Sequence, residues 1–143
     1  MLKLDFHITG GNFTSAGEAS SKIKRTLKQL GVDPAVIKRT VVSVYEAEVN
    51  IVAHAYEGNI FVNIDSECIN IVVEDQGPGI EDINQAIQAG YSTASQKVRE
   101  MGFGAGMGLP NIKANSDKFE ISSVLGQGTK LQITNTLKSN GNN

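Results

Sequence analysis

The sequence predicts a two-layer α/β sandwich of the α+β kind, with a mixed, mostly antiparallel sheet covered on one face by helices. Three observations carry this. The apparent order of elements is β-α-α-β-β-α-loop-α-β-β. Several of the strands are close enough in sequence to be hairpin neighbours. The first two helical segments are long and carry apolar stripes that need a sheet to cover.

Each element is argued from its own residues. Leu2, Leu4, Phe6 and Ile8 alternate with Lys3, Asp5 and His7, the period of a half-buried strand, and His7 falls on its polar side. Gly10-Gly11 ends that strand. Ser15 and Glu18 have capping-box spacing, and Ala16, Ala19, Ile23, Leu27 and Leu30 recur at helical intervals up to a left-handed cap at Gly31. Asp33-Pro34 opens a second helix that should reach His54 or Ala55, with Val42, Tyr45, Val49, Val52 and Tyr56 as its apolar stripe. Strands are expected over 60–64 and 68–73, joined by a turn at Asp65-Ser66-Glu67, the second giving way to a turn from Glu74 to Gly79. A short helix over 82–89, ended by Gly90, leads into irregular chain from Tyr91 to Gly108. A helix from Leu109 to Ser116 follows. Lys118 to Val124 and Thr129 to Thr136 then form a hairpin around Gly126-Gln127-Gly128.

The chain has 143 residues, the length of one domain, and residues 1–137 are expected to form it, with 138–143 a disordered polar tail. Apolar residues make up 40%, which suits a globular chain; the aromatics are five Phe and three Tyr, so the core should be aliphatic. A net charge of −2 without a basic cluster argues against nucleic acid or an anionic membrane as partner. The one cysteine, Cys68, excludes an internal disulfide and reads as a small buried strand residue. The start lacks a long apolar stretch, so no signal peptide is expected, and no run is long enough to span a bilayer. The expected compartment is the cytoplasm.

Three places could carry chemistry. Glu46, Asn50 and His54 are four residues apart and share one helix face, with Ala47 and Ala53 leaving room around them. Such a row can bind Mg²⁺ or hold a water, or can be a solvated polar edge. Asp75-Gln76-Gly77-Pro78-Gly79 puts an acid at the end of an apolar strand, beside glycines that admit a flat ring; it can equally be a plain tight turn. The run Gly102-Phe-Gly104-Ala105-Gly106-Met107-Gly108 exposes successive N–H groups before a helix start, as an anion site or as a structural loop. It matches neither the P-loop nor the dinucleotide fingerprint.

In their order along the chain, these stretches resemble the motifs of the GHKL ATPases, whose fold is the Bergerat fold. Glu46-Ala-Glu-Val-Asn50-Ile-Val-Ala-His54 is similar to the N box. Val73-Glu-Asp75-Gln-Gly77-Pro-Gly79-Ile80 is similar to the G1 box. Gly102 to Leu109 is similar to the G2 box and ATP lid, and Gly126-Gln-Gly128-Thr129 to the last adenine-side motif. Chain length and Tyr91-Ser92-Thr93 resemble the anti-sigma serine/threonine kinases, most of all the subgroup that switches stressosome-type partners.

The resemblance implies ATP and Mg²⁺, with Glu46 as general base and Asn50 as metal ligand. It implies nucleotide contacts from Ala53, His54, Asp75 (to the adenine amino group), Gly77, Gly79, Ser92, Thr93, Gly104, Ala105, Gly106, Met107, Gly108 and Thr129. Lys97 and Arg99 are lid cations that could assist or simply be solvated. Gln76 departs from the Asn common at that position, and 94–101 looks like a lid insertion. The implied substrate is a STAS-domain antagonist in a partner-switching stress pathway, with a sigma factor or phosphatase as alternate partner and a monomer or homodimer as the assembly. The alternative is a nucleotide-dependent binding module that controls a partner without phosphoryl transfer.

Overall fold

A computed structural model describes residues 1–88 and 108–137. Among these residues, five strands form one sheet: β1 (Leu2–Thr9), β2 (Glu57–Ile64), β3 (Cys68–Gln76), β4 (Lys118–Val124) and β5 (Gly128–Thr136). The spatial order is β1-β2-β3-β5-β4, and every described pair is antiparallel, the limiting case of the sheet expected. Among the described residues, four α-helices accompany it: α1 (Glu18–Gln29), α2 (Pro34–His54), the short α3 (Ile83–Ala86) and α4 (Gly108–Ala114).

Register explains the two faces. Leu4, Val62, Ile71, Ile133 and Phe119 lie side by side across the sheet, as do Phe6, Ile60, Val73, Leu131 and Ile121. These rows pack against Ile23 and Leu27 of α1, Val44 and Ile51 of α2, and Ile112 of α4. Among the described residues the buried apolar side chains are all Ala, Val, Leu or Ile, as the composition predicts. On the other face, Asn70 and Thr134 share a hydrogen bond, Lys130 pairs with Glu74, and His7 meets Asn59, so His7 is the surface residue expected.

Several local signals form as read. Gly31 takes φ +73°, and the Gly31 and Val32 N–H groups donate to Lys28 and Leu27, a Schellman end to α1. Asp33 Oδ1 accepts the Ala35 N–H at 2.8 Å, with Pro34 in the first turn of α2. Asp65 Oδ1 accepts the N–H groups of both Glu67 and Cys68 and so builds the β2–β3 turn; Cys68 itself is only half-buried.

Three expectations are corrected. Ser15 does not cap α1: it lies in a 3₁₀ turn (Phe13–Ser15), and α1 starts after Gly17, at φ +103°. The cap comes from α2. Glu48, 1% exposed, accepts N–H groups from Gly17 (2.9 Å), Ala19 (3.2 Å) and Ser20 (2.8 Å). These are the free donors of a helix start, and a buried carboxylate satisfies them while the helix dipole stabilises its charge.

The stripe of α2 is only partly the one expected: Val49 and Val52 are buried, but Tyr45 is 40% and Tyr56 74% exposed, while Ile37, Thr40, Val44, Ala47 and Ile51 also face inward. Polar residues with partners inside the fold displaced the stripe from the one hydropathy suggests: Glu48 caps α1, and Thr40 accepts from the buried Asn135 amide at 3.2 Å. Finally, β3 runs on to Gln76, because Glu74, Asp75 and Gln76 are laddered to Asn59, Gly58 and Glu57 despite their polarity.

Candidate functional site

The polar row of α2 survives as a half-buried edge. Glu46, Asn50, Ala53 and His54 are all partly accessible, beside the buried Ala47 and Ile51. Helix α4 closes on this row. The Asn111 amide donates to Glu46 Oε1 at 3.5 Å. Gly108 lies so near Asn50 that a Cβ there would come within 2.9 Å of Asn50 Oδ1 and 3.3 Å of its Nδ2. A side chain at 108 would push the Asn50 carboxamide aside, whereas glycine lets the end of the glycine-rich run approach it without that shift. His54, at the end of α2, is held below its usual imidazole range by burial, which favours the neutral ring.

The second wall is the turn after β3. Gly77 is buried, and a Cβ on it would meet Ala55 Cα at 3.0 Å and the His54 carbonyl at 3.4 Å. The turn is stitched to the β4–β5 loop: the Gly77 N–H donates to the Gln127 carbonyl (3.1 Å) and the Gly126 N–H to that of Pro78 (2.9 Å). Gly79 takes φ +78°, against the Val124 carbonyl.

Asp75 sits just before this turn, on the helix-covered face beside Gly58. Its Oδ1 accepts the Thr129 N–H at 3.0 Å. Burial pushes its carboxyl above the usual range, and the Thr129 N–H opposes that rise. Gly128, at φ +150°, leaves the space a Cβ would take from the Asp75 carbonyl. Thr129 Oγ1 lies 3.0 Å from Ser123 Oγ, which also reaches the Ile80 N–H at 2.7 Å and the Gly128 carbonyl at 3.0 Å.

The fold thus links the predicted residues pairwise: Asn50 with Gly108, His54 with Gly77, and Asp75 with Thr129. Ser92, Thr93, Gly104, Ala105, Gly106 and Met107, with Lys97 and Arg99, lie outside the described residues. Sequence reasoning missed Asn111, Glu48 and Ser123. Nothing marks Asn111 in isolation. Glu48 is an acid within an apolar run, Ala47-Glu48-Val49, and Ser123 continues the inward alternation of Phe119 and Ile121; both signals were legible. A separate groove between β1 and the start of α1, lined by Thr9, Lys22 and Arg25, shares none of the predicted site residues.

Comparison with known proteins agrees with this architecture. The histidine kinase-like ATPase domain family matches residues 12–135. The serine/threonine-protein kinase RsbT of Bacillus subtilis is 32% identical over 119 residues, 80% of this chain and 84% of that protein. An anti-sigma F factor of Thermoanaerobacter is 31% identical over 137 residues, 90% of this chain and 92% of its own. The solved RsbU and RsbW domains of a Mycobacterium tuberculosis protein share the fold at a TM-score of 0.62 and 18% identity, covering 94% of this chain and 32% of that longer one.

The chain belongs to the histidine kinase-like ATPase family. Within it, the chain falls with the anti-sigma regulatory serine/threonine kinases, the branch of RsbT and anti-sigma F factor.

Proposed function

We propose that this chain is an ATP-dependent serine/threonine protein kinase of the anti-sigma regulatory type, and that it phosphorylates a STAS-domain antagonist in a partner-switching pathway. Residues 1–137 act as one ATP-binding unit, and the cytoplasm is its place of work. The observation that carries the reading is the seating of Gly108 on Asn50, which makes the end of the glycine-rich run and the polar face of α2 one surface.

Glu46 is the candidate general base. It stands on a helix, a rigid support, and the Asn111 amide orients its carboxylate. As a substrate hydroxyl attacks the γ-phosphorus and ADP departs, Glu46 would take the hydroxyl proton. Asp75 is an acceptor suited to the exocyclic amine of adenine, at the opposite end from Glu46 along the nucleotide. His54, neutral through burial, lines the pocket without adding charge.

The residues also fit Mg²⁺. One amide is enough for a cation that keeps its waters and takes phosphate oxygens, and the absent Cβ of Gly108 leaves the Asn50 oxygen uncrowded. When bound, the metal would neutralise phosphate charge.

The test is incubation of the chain with Mg²⁺, γ-labelled ATP and a STAS-domain protein from the same genome. Label on a serine or threonine of that protein is expected, and tight ATP binding without any transfer would defeat the kinase reading. Glu46→Ala should bind ATP and transfer nothing. Partner control that survives intact in that variant would mean that binding alone is the function.

A further inference from the structure

The hydroxyl of Ser123 has one proton and two lone pairs, and the three contacts around it assign them all. The Ile80 N–H, 2.7 Å away, can only donate, and it takes one lone pair. The Gly128 carbonyl, at 3.0 Å, can only accept, so it receives the Ser123 proton. The contact left is Thr129 Oγ1, also at 3.0 Å. With its own proton spent, Ser123 can only accept there, so Thr129 must donate. Thr129 then has no proton for anything else, and its oxygen offers lone pairs alone. Beside it, Asp75 accepts the Thr129 N–H through Oδ1 and, ionised, is an acceptor throughout.

We infer that Ser123 is a specificity-determining residue of the nucleotide pocket: by drawing the Thr129 proton away from the ligand, it makes the base end of the pocket a set of acceptors. That end accepts a purine with an amino group at position 6 and rejects one with a keto oxygen there, whose lone pairs would face lone pairs. The inference rests on the assignment of Asp75 and Thr129 to the base. Ser123 acts through Thr129 and does not touch the ligand. Its alternation with Phe119 and Ile121 on β4 points it inward, and the Ile80 bond ties the same hydroxyl to the turn after β3.

The experiment is calorimetric titration of the full chain with ATP and with inosine triphosphate, both with Mg²⁺. Wild type should prefer ATP by at least about a hundredfold, since a pocket of matched polar groups rejects a mispaired analogue strongly. In Ser123→Ala, the Thr129 hydroxyl is free to turn and donate to the keto oxygen, so the preference should fall about tenfold, the worth of one hydrogen bond. Ser123→Thr keeps the hydroxyl and should restore it. In a Thr129→Val background, Ser123→Ala should leave the ratio unchanged.

A folded Ser123→Ala that weakens both nucleotides equally would show a structural role only and overturn the inference. So would a change of ratio that persists in Thr129→Val. If Ser123→Ala fails to fold, Ser123→Cys, a weak donor and acceptor of similar shape, is held to the same ratio. Wild type that binds neither nucleotide would overturn the pocket assignment itself; wild type that discriminates while Ser123→Ala discriminates as well would overturn this inference alone.

Discussion

Asp75 and Glu46 are both carboxylates of the proposed site, yet their surroundings ask different things of them. Glu46 is on a half-buried helix edge with an amide beside it, whereas burial raises the Asp75 carboxyl against the opposing pull of the Thr129 N–H. Glu46→Gln should therefore lower the transfer rate by about 10²–10⁴, the usual worth of a positioned base, and leave ATP affinity within about twofold, as single-turnover kinetics and titration would show.

For Asp75 the sign follows from its raised pKa. The carboxylate, the form that accepts from an amine, exists above that value, so ATP affinity should decline as pH falls through it, at a pH higher than for an ordinary aspartate. Asp75→Asn should bind ATP weakly and lose this acid limb, and an affinity profile for both proteins across pH 4–8 (about the range carboxylates and histidine titrate over) checks it. The same raised pKa means that Asp75 contributes folding stability below its unfolded value, which is lost as pH rises through the folded one. At neutral pH the ligand-free Asp75→Asn chain should consequently melt no lower than wild type, an exchange of stability for binding.

At the scale of elements, the buried Glu48 couples two helices. Glu48→Ala would leave three N–H donors at the start of α1 without an acceptor, at a cost of about 3 kcal/mol, and thermal unfolding should shift down by about 10 °C. Glu48→Gln keeps an oxygen in place and should lose about half of that. A similar loss in both variants would show that the charge, not the geometry, matters at this cap.

This is also the scale at which the sequence was read best and worst. Features set by neighbours a few residues away were legible: the glycine end of α1, the Asp33-Pro34 start of α2, the Asp65 turn and the β4–β5 hairpin. Ser15 and part of the stripe of α2 were misread for one shared reason. Glu48, Thr40 and Ser43 are polar yet face inward, and a hydropathy count places such residues outside. Among the candidate site residues, Glu46, Asn50 and Asp75 stand out through motif spacing. Asn111 was not, since its contact spans sixty-five residues and has no local periodicity.

For the whole molecule, the described parts of the candidate site lie on elements packed on or within the sheet. Binding should thus show itself as stabilisation of the entire fold. With ATP and Mg²⁺ at about 100 times Kd, the gain is about 2.7 kcal/mol, or a rise in Tm of about 8 °C. Asn50→Ala should lose the part of that rise that depends on Mg²⁺ and keep the part seen in its absence; a rise identical to wild type would remove Asn50 from the metal site. Among the described residues no helix is long and apolar enough to cross a membrane.

Strand β3 is laddered not to β4, which follows it, but to β5, from Cys68 opposite Thr136 to Glu74 opposite Lys130. A ribosome delivering this chain releases α1, α2 and the first three strands while one side of β3 is still bare. That side is covered only when residues 128–136 emerge, and Thr129, which grips Asp75, arrives with them. The Asp75–Thr129 end of the proposed nucleotide pocket is therefore completed only once β5 has emerged, and a ligand that holds it shut rewards only a polypeptide whose translation has gone past that strand.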